Sequence, residues 1–145
     1  MKKYASILGL LVILASCSVS KNASKDVKHE LRDNGTFLIT EISTDKTYGL
    51  SPKNPVEVGG VDKNVGPLNE RRYLNALAGP NGETVSYYRA GSCCAIPSEK
   101  AIFGDKVLLD NYRVTWEGSK DTVSIYINMY DSGKLQIPVG FTAKK

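Results

Sequence analysis

A chain of 145 residues with a formal net charge of +4, one histidine and three cysteines has room for one hydrophobic core and carries few groups suited to catalysis or metal binding. So small a positive balance argues against the clustered basic footprint that nucleic acid demands, and no nucleic-acid partner is expected. A single histidine, His29, leaves Cys/His zinc sites without ligands and histidine triads without a base, so no metal or other cofactor is expected.

The chain opens on a short basic stretch, Met1-Lys2-Lys3. An apolar run over residues 4–14 follows, too short to cross a bilayer comfortably. It ends in Leu14-Ala15-Ser16-Cys17, which resembles the lipobox of bacterial lipoproteins. There a peptidase that accepts small side chains cuts before the cysteine, and the cysteine carries lipid. On that resemblance residues 1–16 are a signal peptide, Cys17 is the lipid attachment site, and acyl chains hold the protein at a membrane. The competing reading is an ordinary signal peptide with an incidental Cys17. Ser18 does not match the inner-membrane retention signal known from proteobacteria, so the expected location is the cell envelope, at the outer membrane. Residues 18–34 are rich in Ser, Lys and Asn and lack apolar periodicity. Residues 17–35 are therefore expected to be the lipidated cysteine and a flexible tether, and residues 36–145 a single globular domain.

Residues 37–43 have strand composition and run into the turn-prone Thr44-Asp45-Lys46. Pro52 and Pro55 keep the next stretch extended. Val56-Glu57-Val58 then reads as a short edge strand, because Pro55 has no N–H for a central ladder. Gly59-Gly60 predicts a bend or bulge. A phosphate cradle would need spaced glycines leading straight into a helix, and residues 61–65 intervene.

Asn69 as N-cap, Glu70 in the first turn and Gly79-Pro80 as stop signals predict a short helix over residues 69–78. Tyr73, Leu74 and Leu77 form its apolar face, and so short a helix must pack on something to persist. Asn81-Gly82 is a tight-turn signal, and Val85, Tyr87 and Tyr88 mark a strand after it. Leu108-Leu109-Asp110 begins an element of undecided type. Residues 112–117 and 122–130 alternate as strands on either side of a hairpin-length turn, and residues 135–141 form a last strand interrupted at Pro138. The expected fold is α+β: a mainly antiparallel sheet ending in a C-terminal three-strand meander, with the short helix packed on one face.

Cys93-Cys94 is the most unusual local feature. In an exported domain the setting is oxidising, yet adjacent α-carbons lie about 3.8 Å apart, below the usual disulfide range of about 4.4–6.8 Å. The pair is a candidate redox or thiol site: a vicinal disulfide, a soft Cu(I) site or an intermolecular cross-link. The plain alternative is two small apolar side chains enclosed at a strand end. Glu70, Arg71 and Arg72 are a candidate partner-binding surface, since arginine forks suit carboxylates and phosphates; otherwise they are a solvated helix face. Tyr73, Tyr87, Tyr88, Tyr112, Tyr126 and Tyr130 could likewise be a recognition surface or ordinary packing.

The segments Asp45-Lys46-Thr47-Tyr48-Gly49, Val58-Gly59-Gly60, Gly66-Pro67-Leu68-Asn69-Glu70-Arg71-Arg72-Tyr73 and Gly91-Ser92-Cys93-Cys94, with Ile127-Asn128-Met129-Tyr130-Asp131, resemble a family of small Bacteroidota lipoproteins of unknown function. The resemblance spans nearly all of the expected mature domain. The family has no established function to carry over; with the lipobox, the expectation is a non-catalytic, membrane-anchored envelope lipoprotein with a small binding or structural domain, partnered by an envelope protein or ligand. Some members carry the label 2-dehydro-3-deoxyphosphooctonate aldolase. That activity implies a barrel of alternating strands and helices of about 250 residues, longer than this chain.

Overall fold

The computed structural model describes residues 27–145, so the expected signal peptide, Cys17 and the first part of the expected tether lie outside the described residues. In chain order the elements are β1 (Leu31–Asp33), β2 (Thr36–Phe37), β3 (Val56–Glu57), a 3-10 turn (Val61–Lys63), α1 (Gly66–Asn75), β4 (Leu77–Ala78), β5 (Val85–Pro97), β6 (Lys106–Trp116), β7 (Val123–Asn128) and β8 (Thr142–Ala143). Among the described residues the architecture is α+β, mostly strand with one α-helix. The main sheet has the order β3-β7-β6-β5, and two-stranded β1-β2 and β4-β8 pairs stand beside it. Among these strands pairing is antiparallel except where β3 runs parallel to β7, so the main sheet is mixed. The closed barrel implied by the aldolase label is absent among the described residues.

Alternation on β6 and β7 turns Tyr112, Val114, Ile125 and Ile127 inward, where they meet Tyr73 and Leu74 of α1 and Val56 of β3. The helix starts three residues earlier than its cap signals imply. Pro67 sits in the first turn, where a missing N–H costs nothing, and the N-cap is Val65 without a side-chain bond. Gly66, Asn69, Glu70, Tyr73 and Leu74 then form one buried stripe at the spacing i, i+3, i+4, i+7, i+8. Asn69 is therefore a buried helix residue and not a cap, and the chain leaves α1 at Ala76 directly into β4.

The expected edge strand is present as β3, and the bend after it falls where expected. Gly59 and Gly60 adopt φ of 61° and 102°. At Gly60 a Cβ would come within 2.9 Å of Val65 Cγ2, so both conformation and close approach require glycine.

Three further expectations need correction. Residues 37–43 are not one strand: only Thr36–Phe37 pair as β2, and Ile42 makes an isolated bridge. The composition of residues 27–35 predicts a tether, but β1 pairs with β2 and the His29 ring sits edge-on to Phe37 at 5.2 Å. The consecutive antiparallel strands are β5, β6 and β7, one strand earlier than the expected C-terminal meander. After β7 the chain crosses over instead of returning beside it: Ile137 bridges Ile42 in parallel and donates its N–H to the Glu41 carbonyl. Pro138 has no N–H to continue a ladder, and Gly140 at φ 93° turns the chain into β8 against β4.

Candidate functional site

β5 is the outer strand of the main sheet, and its pairing with β6 slips twice, between Arg89 and Gly91 and between Cys93 and Ile96. The second irregularity holds Cys94 and Ala95 without partners on β6. Cys94 takes a left-handed φ of 58°, one of two non-glycine residues among those described to do so. Cys93 and Cys94 are joined by a disulfide with their α-carbons 3.7 Å apart. Cys93 is half-buried opposite the fully buried Leu109, whereas Cys94 is exposed. With Cys94 exposed, two enclosed apolar side chains do not describe this arrangement.

Beside the disulfide, a polar cluster ties β5 to β6. Arg89 grips Asp110 with two donors, Nε to Oδ2 at 2.7 Å and Nη2 to Oδ1 at 2.8 Å, and Ser92 Oγ donates to Oδ1 at 2.9 Å. Arg89 is about half exposed while Asp110 is buried, so the guanidinium meets solvent and the carboxylate faces inward.

Behind Asp110 lies Glu70, with no exposed surface. The Tyr112 hydroxyl donates to its Oε2 at 2.9 Å, while Oε1 is buried without a partner among the described residues. Burial, then the charge of Asp110, pushes the Glu70 carboxyl up to about 7, against the lowering effects of Tyr112 and Arg89. A proton on Glu70 lets it donate to Asp110, and that hydrogen bond raises it further. Tyr112 is itself pushed up, first by burial and then by the negative charge of Glu70.

Glu70, Arg71 and Arg72 thus do not form one surface. Glu70 faces the core, Arg71 is exposed, and Arg72 is half-buried, its Nε bonded to the Asn34 carbonyl at 2.9 Å and Nη1 to Asn69 Oδ1 at 3.0 Å. The tyrosines are also divided. Tyr73 and Tyr112 are buried, the Tyr87 hydroxyl donates to Asn75 Oδ1 at 2.8 Å, and Tyr88 is exposed. The sequence reading missed the Glu70–Asp110 pair. Its signal was present in the helical stripe through Glu70 and in the shared face of Asp110 and Tyr112 on β6.

An open depression of about 210 Å³ lies elsewhere, lined by residues that include Tyr48, Lys53, Glu57 and Lys134. It includes neither the cysteines nor Glu70. Among the described residues no group of three or more His, Cys, Asp or Glu side chains is placed to hold a metal ion, and no helix is long and apolar enough to cross a membrane. No protein-family model, curated protein or solved structure matches the chain.

Proposed function

We propose that the protein is a lipid-anchored lipoprotein of the bacterial envelope, at the outer membrane, akin to the small Bacteroidota lipoproteins that it resembles. Its compact α+β domain serves as a binding or structural module and not as an aldolase. The observation that carries this reading is the apolar run closed by Leu14-Ala15-Ser16-Cys17 ahead of a folded unit. Radiolabelled palmitate supplied to cells making the full chain is expected to enter the protein, and Cys17→Ser to abolish the label. An unlabelled protein with its N-terminus intact would overturn the reading.

A second reading, thiol–disulfide exchange at Cys93-Cys94, is favoured by the exposure of Cys94 on a bonded pair. A thiolate from a partner dithiol attacks Cys94 Sγ, the bond to Cys93 breaks, and Cys93 leaves as a thiolate that takes a proton. The partner's second thiolate then displaces Cys94 and closes the partner's own disulfide, so this protein gains the two electrons that the partner loses. Alkylation followed by mass measurement is expected to count no reactive thiol at these positions before dithiothreitol and two after it, with loss of both when the reductant is removed. Two thiols that are free from the outset and never pair would leave only the binding module.

A further inference from the structure

Residues 98–105 join β5 to β6. The base of this loop is closed by the Ser98 N–H donating to the Asp105 carbonyl at 3.0 Å. At its tip Ile102 and Phe103 expose 74% and 89% of their surfaces, the highest values among the large exposed apolar residues, and Leu108 exposes 53% nearby on β6. Single exposed apolar residues are ordinary, but two adjacent ones at the outermost turn of a hairpin present a wedge.

The chain enters the fold at this same end. Ser132 Oγ donates to the Val27 carbonyl at 3.0 Å, and the adjacent Asp131 accepts from Ser98 Oγ at 2.8 Å. Val27 and the base of the loop therefore share one support. Val27 follows Cys17 by ten residues, which reach at most roughly 36 Å when fully extended. Ile102 is four residues from Ser98 and so within roughly 14 Å of it. A bilayer holding Cys17 stays within reach of the tip.

We propose that the Ile102-Phe103 tip inserts into the surface of the same bilayer that holds the acyl chains, as a second and shallow membrane contact that orients the domain. The inference rests on the lipid-anchor reading of Cys17. The occupant follows from the tether length and from charge. Glu99 and Asp105 balance Lys100 and Lys106 around the tip, so insertion is driven by apolar surface and needs no anionic lipid. Tethering makes the second contact intramolecular, at an effective concentration that a free protein would not reach. Lys106, exposed where β6 begins, can lay its stem along the interface with its ammonium among the headgroups.

The test uses full-length acylated protein in phosphatidylcholine vesicles with and without brominated acyl chains. Phe103→Trp reports on the tip, and the native Trp116 at the far end of β6 gives the baseline in the unsubstituted protein. Ile102→Trp is a second reporter should the first perturb the loop. The expected result is a blue shift and loss of emission from the added tryptophan in brominated vesicles, unchanged by salt, with Trp116 unaffected. Acylated protein that floats with the vesicles but whose added tryptophan is not quenched overturns the tip contact and leaves the anchor standing. Absence of an acyl group on Cys17 overturns both. A blue shift that arises without lipid and grows with protein concentration assigns the tip to a second copy of the chain and overturns the membrane assignment.

Discussion

Glu70 is the residue whose environment differs most from what its sequence position implies. A carboxyl held at about 7, against an ordinary 4.5, binds its proton more tightly in the folded than in the unfolded chain. The stability this supplies is fully present below pH 4.5 and is lost as pH rises through about 7. A tenfold change in proton affinity corresponds to about 1.4 kcal/mol, so the loss across that window is on the order of 2 to 3 kcal/mol. Glu70→Gln is expected to flatten this slope and to stabilise the protein above pH 7. Its amide can accept from Tyr112 and donate to Asp110 without the cost of a buried second carboxylate. Urea unfolding of both proteins between pH 4.5 and 8 checks it, and parallel curves would mean that Glu70 is charged in the fold. The other groups facing Glu70 are Asp110, Arg89 and Tyr112, so Asp110 and Arg89 are left unchanged in the comparison.

At the scale of elements, α1 is held to the glycine bend by a side chain that the sequence presents as a cap. Asn69 Nδ2 donates to the carbonyls of Val58 and Gly59 at 3.3 and 3.1 Å, and its Oδ1 accepts from Arg72. Asn69→Asp keeps the shape but sets a carboxylate oxygen against two buried carbonyls. The expected loss is about 1 to 3 kcal/mol, read by urea denaturation, with little loss for an exposed change such as Arg71→Ala. The helix, the edge strand at Val56, the glycine bend and the alternation of β6 and β7 were all legible, because each rests on local period or turn chemistry. Helix start and strand partners were not. Cap signals at Asn69 competed with Pro67, and only tertiary burial of Asn69 and Glu70 decides between them. Nor does anything local to residues 135–141 say whether Ile137 will pair with β7 or with Ile42. The adjacent cysteines stood out as a candidate from sequence alone, whereas the Glu70–Asp110 contact joins a helix to a strand some forty residues on.

For the whole molecule, composition and fold place the start of the domain differently. Composition places that boundary near Thr36, because residues 27–35 are polar and lack periodicity. The fold places them inside. Leu38 N–H donates to the Glu30 carbonyl at 2.9 Å, the Asn34 and Gly35 carbonyls accept from Arg72 and Asn75 on α1, and Arg32 reaches the Lys144 carbonyl at 2.7 Å. His29 covers Phe37, which is 4% exposed. Net contributions of about 0.5 to 1.5 kcal/mol per hydrogen bond, most of them exposed, make the segment worth a few kcal/mol. A chain beginning at Thr36 is therefore expected to melt roughly ten degrees or more below one beginning at Val27, at about 4 to 8 °C per kcal/mol for a domain of this size. Burial holds the His29 imidazole below its usual 6.5, against a bond with Val58 that raises it, so the folded state favours the neutral ring. The stability from that ring is present above pH 6.5 and is lost as pH falls from there through the lower folded value, opposite in sign to the Glu70 effect. Glu70 is common to both chains, so the gap in melting temperature between them is expected to narrow below pH 6.5. Equal melting temperatures at pH 8 would return residues 27–35 to the tether and remove the shared support at Asp131 and Ser132 on which the proposed membrane contact of the Ile102-Phe103 tip relies.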